Sequence, residues 1–278
     1  MQSRVLLMLH CCAYVSCPPA AHADSMTDYL DADGNEPSEL FVESGAGGII
    51  RAESKIRTTR ELAHTAHVHS LYETRYVTEG RDNLEDSGMV SATSDIIFND
   101  DLTFVPWVAV SREAEYAELN LNLLYVIETD GPFDLYAAYN HILTEQRDTD
   151  FNDNEIELGI TYMGLQSLDL IASTYYSFEA DGAFIEITAY NEPFVSSVTS
   201  IRAFAVLGWN AGYISDGHNG LNHLQLKAEI SYFFTKDSEF TAFTAYNIPI
   251  NRDAARYTGD ASLNRFFWSG IGLSYYFR

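Results

Sequence analysis

From about Leu71 onward, apolar and polar positions alternate in short segments separated by turn residues. Successive side chains of an extended strand point to opposite sides, so this alternation predicts half-apolar β-strands rather than helices. Twelve segments read this way: residues 70–78, 89–98, 102–111, 116–128, 133–143, 154–163, 168–179, 183–194, 199–213, 221–234, 239–250 and 266–277. The clearest is 221–234. Leu224, Leu226, Ala228, Ile230, Tyr232 and Phe234 share one face; His223, Gln225, Lys227, Glu229 and Ser231 share the other. In 116–128, Leu119, Leu121, Leu123, Tyr125 and Ile127 oppose Glu118, Asn120, Asn122 and Glu128.

The last segment places Phe267, Ile271, Leu273, Tyr275 and Phe277 on one face, with Trp268, Gly270, Gly272, Ser274 and Tyr276 on the other. Such a strand left at a sheet edge in water is a template for aggregation. Pairing with the first strand removes the edge and turns the apolar face toward lipid, so Phe267, Tyr275 and Phe277 are assigned to barrel closure and assembly. No apolar run in the body of the chain approaches the ~18 residues of a membrane helix. The expected fold is all-β: a transmembrane up-and-down antiparallel β-barrel of about twelve strands over residues 71–278. The rival is a water-soluble barrel with the two faces exchanged. The connections favour the membrane barrel. Links at 99–101, 129–132, 164–167, 195–198 and 235–238 are short, whereas 79–88, 144–153 and 251–265 are long and acidic. Short periplasmic turns opposite longer outer loops are the pattern of outer-membrane barrels.

The first residues read as an export signal. Arg4 precedes the apolar Val5, Leu6, Leu7, Met8 and Leu9, and Ala21-His22-Ala23 supplies a small-x-small cleavage site after Ala23. Cys11, Cys12 and Cys17, the three cysteines, all lie within residues 1–23. The rival is a lipoprotein signal that uses Cys17. Residues 24–70 are expected to be a periplasmic linker or a plug, irregular or with a short amphipathic helix at 49–67. The acidic stretch 31–36 lacks the spaced ligands of a calcium loop. Two of His64, His67 and His69 could share a metal on a helix, but no Cys or carboxylate beside them completes a site.

The 278 residues carry 40 Asp and Glu against 16 Lys and Arg, a net charge of −24. With no basic patch, the chain is not expected to bind nucleic acid. An Arg or Lys facing lipid costs about 2–4 kcal/mol at the midplane, so the charged faces belong to the lumen. The expected pore lining is Glu73, Glu118, Asp134, Glu155, Glu157, Asp169, Glu186 and Glu229, with Arg75, Arg202 and Lys227. An acidic lumen concentrates cations, giving a weak cation preference. Alternatively the charges pair across strands, Glu73 with Arg202 or Lys227 with the neighbours of Glu229, and fill a narrow interior. No cofactor and no fixed metal are expected, although Asp148, Asp150, Asp153 and Asp260 could hold divalent cations weakly at the acidic loops. The expected partners are outer-membrane lipids and lipopolysaccharide, the barrel assembly machinery and periplasmic chaperones, in a Gram-negative-type outer membrane.

Tyr72-Glu73-Thr74-Arg75-Tyr76-Val77-Thr78-Glu79-Gly80 resembles the first-strand motif of TorF-type porins. The run from Gly212-Tyr213 through Asp216-Gly217-His218-Asn219-Gly220 to Leu224, and Ala245-Tyr246-Asn247-Ile248-Pro249-Ile250, also resemble that family. Glu79 stands where the family more often has Arg, and Arg278 follows the terminal aromatic Phe277. The resemblance covers about Leu71 to the end and implies an outer-membrane barrel of ill-defined transport role, without catalytic residues. The expected function is passive diffusion of small polar solutes or ions. One alternative is a structural or adhesive barrel with a filled lumen. Another is an outer-membrane lipid hydrolase, for which His218 with Asp216 would be half a catalytic pair. Gly220 stands where a local Ser would be needed, and the cluster suits a tight turn. His141 beside Asn140 has no evident Ser partner either.

Overall fold

The computed structural model describes residues 39–43, 49–53 and 66–277, apart from positions 100, 128, 130, 148, 166 and 167. The signal, its Ala23 cleavage site, the cysteines, His64, Asp148 and Arg278 lie outside the described residues. β1 (Glu39–Glu43) and β2 (Ile49–Glu53) pair antiparallel from Glu39↔Glu53 to Glu43↔Ile49. The helix expected at 49–67 is therefore replaced by strand at both ends, since β3 (Ala66–Glu73) begins before that stretch closes. The apolar, β-branched start Ile49-Ile50 suits an extended backbone with a partner to pair with.

After β3 comes a small hairpin of β4 (Val77–Thr78) and β5 (Arg81–Asp82). The wall then continues with β6 (Met89–Ile97), β7 (Leu102–Ser111), β8 (Tyr116–Ile127), β9 (Phe133–Gln146), β10 (Thr149–Tyr162) and β11 (Asp169–Ser177). It is completed by β12 (Gly182–Val195), β13 (Thr199–Ala211), β14 (Gly220–Thr235), β15 (Ser238–Pro249) and β16 (Phe266–Phe277). β3 and β6 to β16 form a closed twelve-strand antiparallel barrel in which neighbours in the chain are neighbours in the wall. β16 closes on β3 from Gly270↔Glu73 to Phe277↔Ala66.

The alternation that predicted the strands also decides their sides. Phe267 is 69% exposed, Ile271 54% and Leu273 56%, whereas Trp268, Gly270 and Gly272 of the same strand are turned inward and buried. Leu158, Ile187 and Ile230 continue the apolar outer band around the wall. Apolar outside and polar inside is the inverse of a soluble barrel. That exchanged-face alternative does not describe this chain.

Two boundaries differ from the sequence expectation. β3 starts at Ala66 and ends at Glu73, so the chain leaves the wall before Arg75. The 144–153 stretch is not a loop: β9 and β10 run through it in register to Gln146↔Thr149, with Arg147 at positive φ in the turn. Its polar side chains hide the strand from apolar alternation, while the ladder satisfies its backbone groups as well as water would. One irregularity matters below. Gly208 pairs with His223 and Trp209 with Leu221, so Asn222 is an extra residue, and both Asn222 and His223 are buried inside. Such a bulge re-aims a side chain that strict alternation would send outward.

Candidate functional site

The interior is crossed by the β4–β5 hairpin. Glu79 and Gly80 at its tip both have positive φ, +46° and +71°, as a two-residue hairpin turn requires. A Cβ on Gly80 would run into the His223 ring, so only glycine lets the tip approach β14 this closely. Asn222 Nδ2 donates to the Glu79 carbonyl and Asn247 Nδ2 to the Gly80 carbonyl, each at 2.7 Å. Arg81 donates to the carbonyls of Gly259 and Glu79 (both 3.1 Å) and to Asn222 Oδ1 (3.3 Å), and it pairs with Asp260 at 3.4 Å. Tyr175 of β11, the strand opposite β3 in the closed order, donates to Glu79 Oε1 at 3.3 Å. Near the base, Tyr76 donates to Glu118 Oε2 at 3.0 Å and stacks on Trp107, in an apolar cluster with Leu84, Met89, Ala109 and Ala114. A hairpin that springs from β3 thus touches β8, β11, β14 and β15 and spans the lumen.

The Glu79 carboxylate points into an acidic wall. Burial first pushes it well above the usual carboxylate range; the Thr78 hydroxyl and Arg81 pull it back, while Glu186 and Glu155 push it further up. On that wall Tyr136 donates to Glu157 at 2.8 Å and Tyr213 to Glu155 at 2.5 Å.

Of the residues expected to line the pore, Glu73, Glu118, Glu155, Glu157, Asp169, Glu186 and Arg202 lie buried on the inner face. Asp134, Lys227 and Glu229 share that face and are partly covered. Arg75 is the exception. It sits beyond the end of β3, pairs with Asp82 and Asp86 of the hairpin loop, and lies over the Phe266 ring. Arg202 pairs with Glu229 at 2.9 Å and Glu239 at 3.3 Å, and Lys227 with Glu229 at 3.0 Å. Sequence reasoning missed Glu79, Arg81, Asn222 and Asn247. The Glu-Gly pair after Tyr76-Val77-Thr78 was the available hairpin signal; the bulge that aims Asn222 inward left none.

The short-turn half of the lumen is uneven. Leu124, Tyr136, Ile171, Tyr190 and Phe204 of β8, β9, β11, β12 and β13 pack together and fill one side. A cavity of about 100 Å³ remains on the other, lined among others by His67, His69, Asp95, Arg202, Glu229 and Glu239. His67 and His69 are strand neighbours on the inner face of β3, not turns of a helix. His67 Nδ1 meets Asp95 Oδ2 at 2.9 Å, and His69 Nδ1 meets Ser274 Oγ at 2.8 Å.

At the other end three loops are tied by Asp260. It is fully buried, accepts the backbone N–H of Asp253 (2.8 Å) and of His218 (3.2 Å), and meets His218 Nδ1 at 2.8 Å. Burial alone would raise its pKa, but these hydrogen bonds hold it below the ordinary value. The His218–Asp216 pair of the hydrolase alternative does not form, because Asp216 accepts from Thr258 at 3.0 Å while His218 turns to Asp260. The other His218 nitrogen faces the Leu221 carbonyl at 3.0 Å. Asp150 and Asp153 lie on β10, and Asp153 is occupied by Ser177 and the Glu179 N–H. Among the described residues, no three His, Cys, Asp or Glu side chains gather as a metal site requires.

A closed barrel of twelve antiparallel strands, apolar outside and polar within, defines a transmembrane β-barrel. Its fold is similar to that of the KdgM porin (TM-score 0.53, 10% identity, 76% of this chain and 99% of that one). It is also similar to the NanC porin (TM-score 0.51, 11% identity, 76% and 98%). No protein-family model matches the chain, and no curated protein sequence matches it.

Proposed function

We propose that the chain is an outer-membrane porin-like channel of a Gram-negative-type cell, passing small polar solutes or ions with a cation preference. We place it with the TorF-type porins its sequence resembles. The observation that carries this reading is the imbalance of the inner face. Its cations are neutralised in place, Arg202 and Lys227 by Glu229 and Glu239, and Arg81 by Asp260. Glu118, Glu155 and Glu157 accept from the neutral phenols of Tyr76, Tyr213 and Tyr136, so the inner face holds more carboxyl groups than cations. Phe267, Tyr275 and Phe277, on the outward face of the closing strand, are the side chains offered to lipid and to the assembly machinery. Periplasmic chaperones would deliver such a chain, and lipopolysaccharide would contact its outer band.

The test is planar-bilayer conductance of the refolded protein under a salt gradient. Small unitary steps with a cation-selective reversal potential are expected; an anion-selective reversal potential would overturn the charge assignment. A gel-shifted, folded barrel without conductance would favour the filled, structural reading, which the hairpin across the lumen supports. The hydrolase reading is disfavoured because both ring nitrogens of His218 already face acceptors.

A further inference from the structure

We propose that Asn222 and Asn247 form a latch that holds the β4–β5 hairpin in the lumen and so sets the channel's size limit. The inference rests on the channel reading above. Both asparagines are fully buried on the inner wall, and each gives an amide hydrogen to a main-chain carbonyl at the hairpin tip. Capture through the main chain fixes the position of the tip independently of its side chains. The bulge in β14 exists at the one residue where it brings such an amide inside. Asn222 also accepts from Arg81, and Asn247 also donates to the Asn264 carbonyl at 2.8 Å. Asn222 thus also holds the second strand of the hairpin, and Asn247 joins the tip to the 251–265 loop. Neither side chain takes part in a wall ladder, whose bonds are all backbone, so removing them loosens the hairpin tip and leaves the barrel closed.

The experiment compares the protein with an Asn222→Ala/Asn247→Ala variant, both refolded and checked for the heat-dependent gel shift. If the alanine pair refolds poorly, an Asn222→Asp/Asn247→Asp variant keeps the volume but sets acceptors against the carbonyls. Two quantities are read: hydrogen exchange over residues 76–84, and unitary conductance with polyethylene glycols of graded size. Exchange is expected to rise on the order of thirtyfold, the net loss of the two hydrogen bonds to the tip. Conductance should rise several-fold, and larger polymers should enter. A silent parent with a conducting variant would support the latch equally. Unchanged exchange overturns it, as does faster exchange with unchanged conductance and polymer cut-off in a conducting parent. If neither protein conducts, the channel reading fails with the size limit built on it, and exchange alone decides whether the amides hold the hairpin.

Discussion

Glu79 combines two local penalties. Its φ of +46° places an L-residue in the left-handed region, which costs roughly 1–2 kcal/mol. Its carboxylate is buried facing Glu155 of β10 and Glu186 of β12, with Tyr175 of β11, Thr78 and Arg81 as compensation. Because docking raises its pKa, the docked hairpin binds the proton more tightly than the released one. The contribution of this group is complete below the ordinary carboxylate value of about 4.3 and is lost as pH rises through the raised value. Docking should loosen as pH rises through that raised value, and conductance should increase with it. Glu79→Gln, which stays neutral, should flatten that profile. A variant with the same slope as the parent would assign the titration to another group.

At the scale of the element, β16 shows how completely period-two alternation determines a membrane strand. Each outward residue from Phe267 to Phe277 is exposed, and its inward glycines are required by neighbours: a Cβ at Gly270 would strike the Phe243 ring, and one at Gly272 the His69 ring. Ile271→Arg, on the outer face near mid-strand, should destabilise the barrel by about 2–4 kcal/mol. Denaturant unfolding in lipid vesicles would measure this, and a loss below that range would place Ile271 near an interface instead. The same alternation made β7 legible to the residue, 102–111, and β16 likewise. It failed where side chains carry no two-sided contrast. The polar ends of β9 and β10 read as loop. Tyr76 to Thr78 read as the tail of a strand and Glu79 to Asp82 as the start of a loop, because a hairpin in the lumen has no lipid-facing side to mark it. Asn222 could not be placed, since one extra residue reverses the side that every rule of alternation assigns.

For the whole molecule, the interior is filled unevenly about the barrel axis. The packed cluster around Tyr190 and Phe204 fills one side, and the cavity beside Arg202 and Glu229 lies on the other. Which inward residues meet across the interior depends on barrel closure and strand order, so this filling was not visible in the sequence. The composition of the lining was visible, because charge cannot face lipid. The hairpin and the cluster lie in series along the lumen. Tyr190→Ala/Phe204→Ala should therefore raise conductance less than the latch variant does. A larger effect would make the cluster, rather than the hairpin, the narrowest point.

The closing pair of strands has a consequence for how the barrel is made. Every other pair in the wall joins segments adjacent in the chain, whereas at this seam Ser269 donates to Thr74 across 195 residues. Local hairpins can form early, because short loops close fast and cost little entropy. The seam must wait until all the others have brought β3 and β16 within reach. Until then, the nascent sheet carries two unsatisfied edges, and the time it spends in that state is set by its last joint rather than by its most numerous ones.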